Sequence, residues 1–145
     1  MLTKGACHRG RSAQALVEFA IVLPILLLLM IGLVNLGILV NAQIVLTQAA
    51  WEGARAGATI QNPLTGDEEI VGAVRRAAKP LEAEAVLIEI DPAHSDYPRT
   101  EPAPLPRGHP LTVRLEYPLT LNLPFTVTIP VRAEAVSRME YSNPP

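Results

Sequence analysis

Two groups of residues have the chemical types of a reactive or metal-binding site. His94, Ser95 and Asp96 are the residue types of a hydrolase triad, but neighbours in sequence cannot form the required hydrogen-bond relay, and no nucleophile elbow precedes them. The three histidines, His8, His94 and His109, share no metal-ligand spacing, and no glycine-rich phosphate loop occurs. We therefore predict that the chain is not an enzyme and that it holds no metal, nucleotide or other cofactor.

Glu18 stands at the edge of a long apolar run. Phe19 to Val40 are 22 consecutive residues without a charged side chain, which is the length of a transmembrane helix. A carboxylate near hydrocarbon costs free energy unless it reaches the headgroups or meets a cation. Two interpretations follow. Glu18 extends to the headgroups, or it pairs with the α-amine that cleavage between Ala13 and Gln14 would create on a neighbouring chain.

The flanks of the apolar run predict its orientation. The charged residues well before the run are all basic; they are Lys4, Arg9 and Arg11. The first charged residues after it, Glu52 and Arg55, have opposite charges that cancel. We expect a single-pass protein of the cytoplasmic (inner) membrane, with a cytoplasmic N-terminus and an extracytoplasmic C-terminal domain.

A secretory signal peptide is the alternative to a membrane anchor. Val40, Asn41 and Ala42 fit a signal-peptidase site, but the apolar run exceeds the roughly 7 to 15 residues of a signal sequence. Cys7 is the only cysteine, so the predicted outer domain has no disulfide.

The apolar helix is predicted to continue beyond the membrane. No proline interrupts residues 41–58, which are rich in small residues, and a helix over 14–58 is about 68 Å long. Four small residues cluster at spacings of three and four, which permits close approach of another element; they are Ala50, Gly53, Ala54 and Gly57. They would pack either on the domain's own sheet or on another subunit.

Two stretches of the sequence resemble the TadE-like family of minor pseudopilins from tight-adherence pilus systems. The first is Ala13-Gln14-Ala15-Leu16-Val17-Glu18-Phe19-Ala20, and the second is Ala49-Ala50-Trp51-Glu52-Gly53-Ala54-Arg55-Ala56. The resemblance implies that residues 1–13 are a leader, which a prepilin peptidase removes by cleaving the bond between Ala13 and Gln14. It also implies that Glu18 and Phe19 take part in assembly. The family usually has Gly where this chain has Ala13.

The C-terminal part predicts a small α+β domain over residues 59–145. A short helix beginning at Asp67 ends before Pro80, and strands are predicted at 85–90, 111–117 and 127–135 because apolar and polar residues alternate in the latter two. Pro130 indicates an edge position or a bulge. Six prolines within residues 91–110 predict an extended loop.

The sequence favours a pseudopilin-like component of a Flp-type pilus or secretion system. Its expected partners are other pilins, pilus assembly proteins, the prepilin peptidase and the lipid bilayer. Loss of residues 1–13 would leave nine basic and fourteen acidic residues, which disfavours nucleic-acid binding. A membrane-tethered binding domain and a secreted hydrolase are the alternative functions. The sequence leaves open whether the protein is a filament subunit, an initiator or a platform component.

Overall fold

The computed structural model describes residues 8–59, 66–91, 110–122 and 126–140. The chain divides into two compact units, Met1–Gly37 and Ile38–Pro145. The predicted proline-rich loop, apart from its end residues Asp91 and Pro110, lies outside the described residues, as do most of the leader and the loop before the second helix. The fold class is confirmed, because a long apolar helix is followed by a small three-stranded antiparallel sheet.

The first helix, α1, runs over His8–Ala58 with Pro24 inside it. It therefore begins before Gln14, where the predicted helix started. Within the first unit its side chains from Ala13 onward are exposed, except for the buried Asn35. The Asn35 side-chain amide donates a hydrogen bond of 2.8 Å to the Ile31 carbonyl. That bond satisfies one polar group of Asn35 within its own helix, which lowers the cost of placing the amide in an apolar segment.

The second helix, α2, spans Gly66–Ala77. Its first turn contains acids and its last turn bases, an order that complements the helix dipole; the residues are Asp67, Glu68, Glu69, Arg75 and Arg76. Ile70 and Val74 of the helix, and Ala78 just after its end, follow one another at intervals of four and are fully buried. This apolar stripe is the face by which α2 joins the core.

The sheet has the order β1-β2-β3, with β1 at Leu87–Asp91, β2 at Pro110–Asn122 and β3 at Thr126–Arg138. The first strand starts two residues later than predicted, because Ala83–Ala85 form a short 3-10 helix. The other two strands extend beyond their predicted ends. β1 pairs only with residues 112–116 of β2, so the rest of β2 and β3 form a two-stranded hairpin.

The core of the second unit lies between the helices and one face of the sheet. Leu111, Val113 and Leu115 of β2 are buried, while the residues between them point outward. The buried cluster also includes residues from α1, α2 and β3; among them are Ala42, Leu46, Ala49, Ile70, Val131 and Ala135. β3 is an edge strand, as Pro130 indicates, and Pro130 lies opposite Pro118 in the register.

Candidate assembly surfaces

The small residues of α1 lie against the second unit's own core. Ala50 and Ala54 are fully buried, and Gly53 and Gly57 are buried as well. A Cβ added at Gly53 would come within 2.5 Å of Val74 Cγ2 of α2, and one at Gly57 would clash with Leu111 of β2. The glycines thus allow α1 to approach α2 and β2 more closely than any larger residue would permit.

Two hydrogen bonds tie α1 to β3. Gln43 donates through Nε2 to the carbonyl of Arg132 at 3.0 Å, and Ser137 donates through Oγ to the carbonyl of Ala54 at 2.7 Å. Both bonds join a side chain to backbone far away in sequence. The sequence alone does not indicate these residues, because neither a glutamine nor a serine has a spacing pattern that points to a distant backbone partner.

The opposite face of α1 in the second unit is exposed and partly apolar. Ile44 is 51% exposed and Trp51 is 58% exposed, although both are large apolar side chains. Gln48, between these two residues, and Arg55, one turn beyond Trp51, are exposed on the same face. Large exposed apolar side chains on one face are typical of a contact surface for another molecule. This exposed stripe is not evident from the sequence either, since the packing of the core decides which face of a helix with small and large apolar residues stays exposed.

Glu18 lies in the exposed helix of the first unit. The side-chain amide of Gln14, one helical turn earlier, donates to the Glu18 carboxylate at 3.4 Å, a long hydrogen bond between two exposed groups. Phe19 beside it is exposed too. The bond between Ala13 and Gln14, which the resemblance indicates as the cleavage point, lies inside α1. The roles of these four residues in processing and assembly stay predictions.

The described residues contain no group of three or more His, Cys, Asp or Glu side chains arranged to hold a metal ion. The triad-like residues His94, Ser95 and Asp96 lie outside the described ranges. On the outward face of the sheet, charged residues form exposed ion pairs, Arg132 with Glu116 at 3.0 Å and Arg114 with Glu134 at 3.5 Å. Such exposed pairs stabilise the sheet only slightly.

Among the described residues, α1 is long and apolar enough to cross a membrane, and the most apolar stretch of this helix contains no buried residue. The fold and these surfaces define a class of protein in which one such helix leads into a small α+β domain. Residues 13–55 match the family model of TadE-like proteins. This match confirms the resemblance found in the sequence and indicates a component associated with tight-adherence pilus systems.

The family match covers somewhat under a third of the chain, so α2 and the whole sheet lie outside it. No curated protein and no solved structure matches the chain.

Proposed function

We propose that this chain is a minor-pseudopilin-like, single-pass component of a tight-adherence pilus assembly or secretion system. Its role is structural rather than enzymatic. α1 inserts into the cytoplasmic membrane, with the N-terminus in the cytoplasm and the second unit outside. Other pilins and pilus assembly proteins are the proposed partners, and a prepilin peptidase removes residues 1–13. The observation that carries the proposal is the TadE-like match over residues 13–55, which coincides with the exposed apolar helix.

Exposure of α1 supports insertion. Nearly every large apolar side chain between Leu16 and Ile38 is more than a third exposed, so the helix is apolar all round. A helix of this kind is stable when lipid or other apolar helices surround it. The excess of basic residues before the apolar run supports the proposed orientation.

Assembly is proposed to occur through helix contacts in and above the membrane. In this arrangement the Glu18 carboxylate of one chain meets the new α-amine of Gln14 on the next and sets the axial register. Neutralising a carboxylate by an amine in a region of low dielectric constant is far more favourable than leaving either charge alone. Above the membrane, the exposed stripe with Ile44 and Trp51 would extend the contact between neighbouring helices.

Replacing Glu18 by Ala tests the proposal in the native, piliated cell. We expect the variant to remain in the membrane fraction, because removing a charge next to an apolar run favours insertion, but to lose co-purification with partner pilins. Glu68→Ala is the matched control, since it removes the same charge from an exposed position of α2. Normal piliation and normal co-purification of Glu18→Ala would show that the carboxylate has no role in assembly.

N-terminal sequencing of the protein from the membrane fraction tests the processing step separately. We expect Gln14 as the first residue. An intact Met1 would contradict leader removal. If Gln43 were the first residue, the apolar run would be a cleaved signal peptide and not a membrane anchor.

A further inference from the structure

The far half of the β2-β3 hairpin has an unusual composition. Between Glu116 and Arg132, fifteen consecutive residues include no charged side chain and no histidine. The described residues of this segment, 117–122 of β2 and 126–131 of β3, are named the distal hairpin. The outward positions whose side chains are described are prolines and threonines, whereas the outward face of the rest of the sheet is mainly charged.

β3 runs alongside α1 in the same direction. Gln43 contacts Arg132, and Ala54 contacts Ser137. An advance of eleven residues along α1 therefore corresponds to an advance of five residues along β3. Both stretches are about 17 Å long at the usual rises per residue. The residues of β3 before Arg132 therefore extend toward the end of the unit at which α1 enters it.

The end at which α1 enters the second unit is also where the apolar run of α1 ends. Ile38, Leu39 and Val40 are the first residues of the second unit and the last of the apolar run. Leu39 packs against the core cluster that includes Leu119 and Leu121 of the distal hairpin. If the apolar run crosses a bilayer as far as Val40, the bilayer surface therefore lies near the end of the distal hairpin that adjoins Arg132, and the other hairpin residues lie at or beyond that surface.

The side chains of the distal hairpin are suited to that surface. Val127 is 42% exposed and Ile129 is 36% exposed, although the residues that follow them on the same face, Val131 and Ala135, are buried. The hydroxyl groups of the threonines can bond to headgroups without the desolvation cost of a charge. At the paired positions Pro118 and Pro130 the free strand edges lack N–H groups, which reduces the number of unpaired donors near hydrocarbon.

We propose that the distal hairpin contacts the headgroup layer of the bilayer at the point where α1 leaves the membrane. The hairpin then acts as a second membrane contact beside the helix and restrains rotation of the outer domain. This inference rests on the membrane insertion included in the proposed function. A bilayer is the expected occupant because the distal hairpin lies level with the end of the apolar run, where lipid surrounds an inserted helix.

Fluorescence quenching of the full chain in nanodiscs tests the inference. Nanodiscs of phosphatidylethanolamine and phosphatidylglycerol, with one chain each, leave both membrane faces open, so the orientation does not affect the result. In a Cys7→Ser background, single cysteines at Thr128, Val136 and Leu28 receive an environment-sensitive fluorophore. Thr128 and Val136 are exposed on the same outward face of β3, about 26 Å apart, and are therefore a matched pair.

We expect lipid-attached quenchers to reduce fluorescence at Leu28 and Thr128, and iodide in the buffer to reduce it at Val136. Quenching at Thr128 like that at Val136, with Leu28 still quenched by lipid, would overturn the inference and leave membrane insertion intact. Protection of Thr128 from both quenchers would also overturn it, because protein would then cover the site. Absence of lipid quenching at Leu28 would refute insertion itself, and the inference with it.

Discussion

Replacing Gly53 by Ala tests the close approach of α1 to the domain core. The added Cβ would lie 2.5 Å from Val74 Cγ2 and 3.4 Å from Val113 Cγ1, and both valines are fully buried. A valine in a helix has one strongly preferred side-chain rotamer, so Val74 cannot turn its methyl group away. The backbone of α2 must move instead.

Two opposing terms determine the size of the effect. Alanine stabilises a helix by about 1 kcal/mol relative to glycine. Overpacking a filled core costs about 1 to 3 kcal/mol, and the stiff, buried Val74 favours the upper part of that range. We expect a net loss of about 1 to 2 kcal/mol in the free energy of unfolding. For a domain of this size, each 1 kcal/mol lowers Tm by about 4 to 8 °C.

Thermal unfolding of the full chain in detergent, followed by circular dichroism, measures the change. Gly72→Ala is the matched control, because an added Cβ there meets only Arg76 Nη1, at 3.4 Å, and α2 gains helix propensity without a clash. Gly72→Ala is therefore expected to raise Tm while Gly53→Ala lowers it. A rise in Tm for both variants would refute the packing argument.

A double-mutant cycle identifies the contact responsible. Val74→Ala alone leaves a cavity and destabilises the domain. Combined with Gly53→Ala it removes the clashing methyl group, so the pair should be less destabilised than the sum of the single changes. Additive effects would place the strain of Gly53→Ala somewhere other than at Val74.

Three further predictions concern the same unit. Ser137→Ala should lower the free energy of unfolding by about 1 kcal/mol, because the Ala54 carbonyl loses its 2.7 Å hydrogen bond, and unchanged thermal unfolding would contradict this. Glu116→Gln should change it by less than about 1 kcal/mol, because the pair with Arg132 is exposed, and a larger loss in denaturant titration would show a stronger role. Trp51→Ala should alter stability by at most about 0.5 kcal/mol because the side chain is exposed, yet reduce co-purification with partner pilins; full co-purification would argue against the exposed stripe as an interface.

Several elements of the fold were predictable from local patterns. The alternation of Leu111, Thr112, Val113 and Arg114 indicates a half-buried strand, and the structure has one there. The ends of the hairpin strands were not predictable in the same way. β2 continues past Pro118 because β1 no longer pairs at that position, and a strand edge without a partner tolerates a proline.

The small residues of α1 show the limit of sequence reasoning at the candidate site. Their spacing predicted a close contact and favoured packing on the domain's own sheet, but it left a contact between subunits open as the alternative. In the structure Gly53 and Gly57 lie against the side chains of Ile70, Val74 and Leu111. The small residues of α1 therefore pack within the second unit. Spacing along a helix defines which residues share a face, whereas the identity of the partner depends on long-range packing.

The sequence by itself determined the apolar helix, the position of Glu18 at its edge, the TadE-like signature and the α+β class of the domain. These features depend on composition and on periodicities over a few residues, and both can be read directly from the sequence. Only the tertiary structure decided which face of α1 is buried, which leaves Trp51 exposed, and that the uncharged half of the hairpin extends toward the end of the domain where α1 enters it. Those features depend on contacts between residues up to about 90 positions apart, such as Gln43 and Arg132, whose pairing arises from sheet register and core packing.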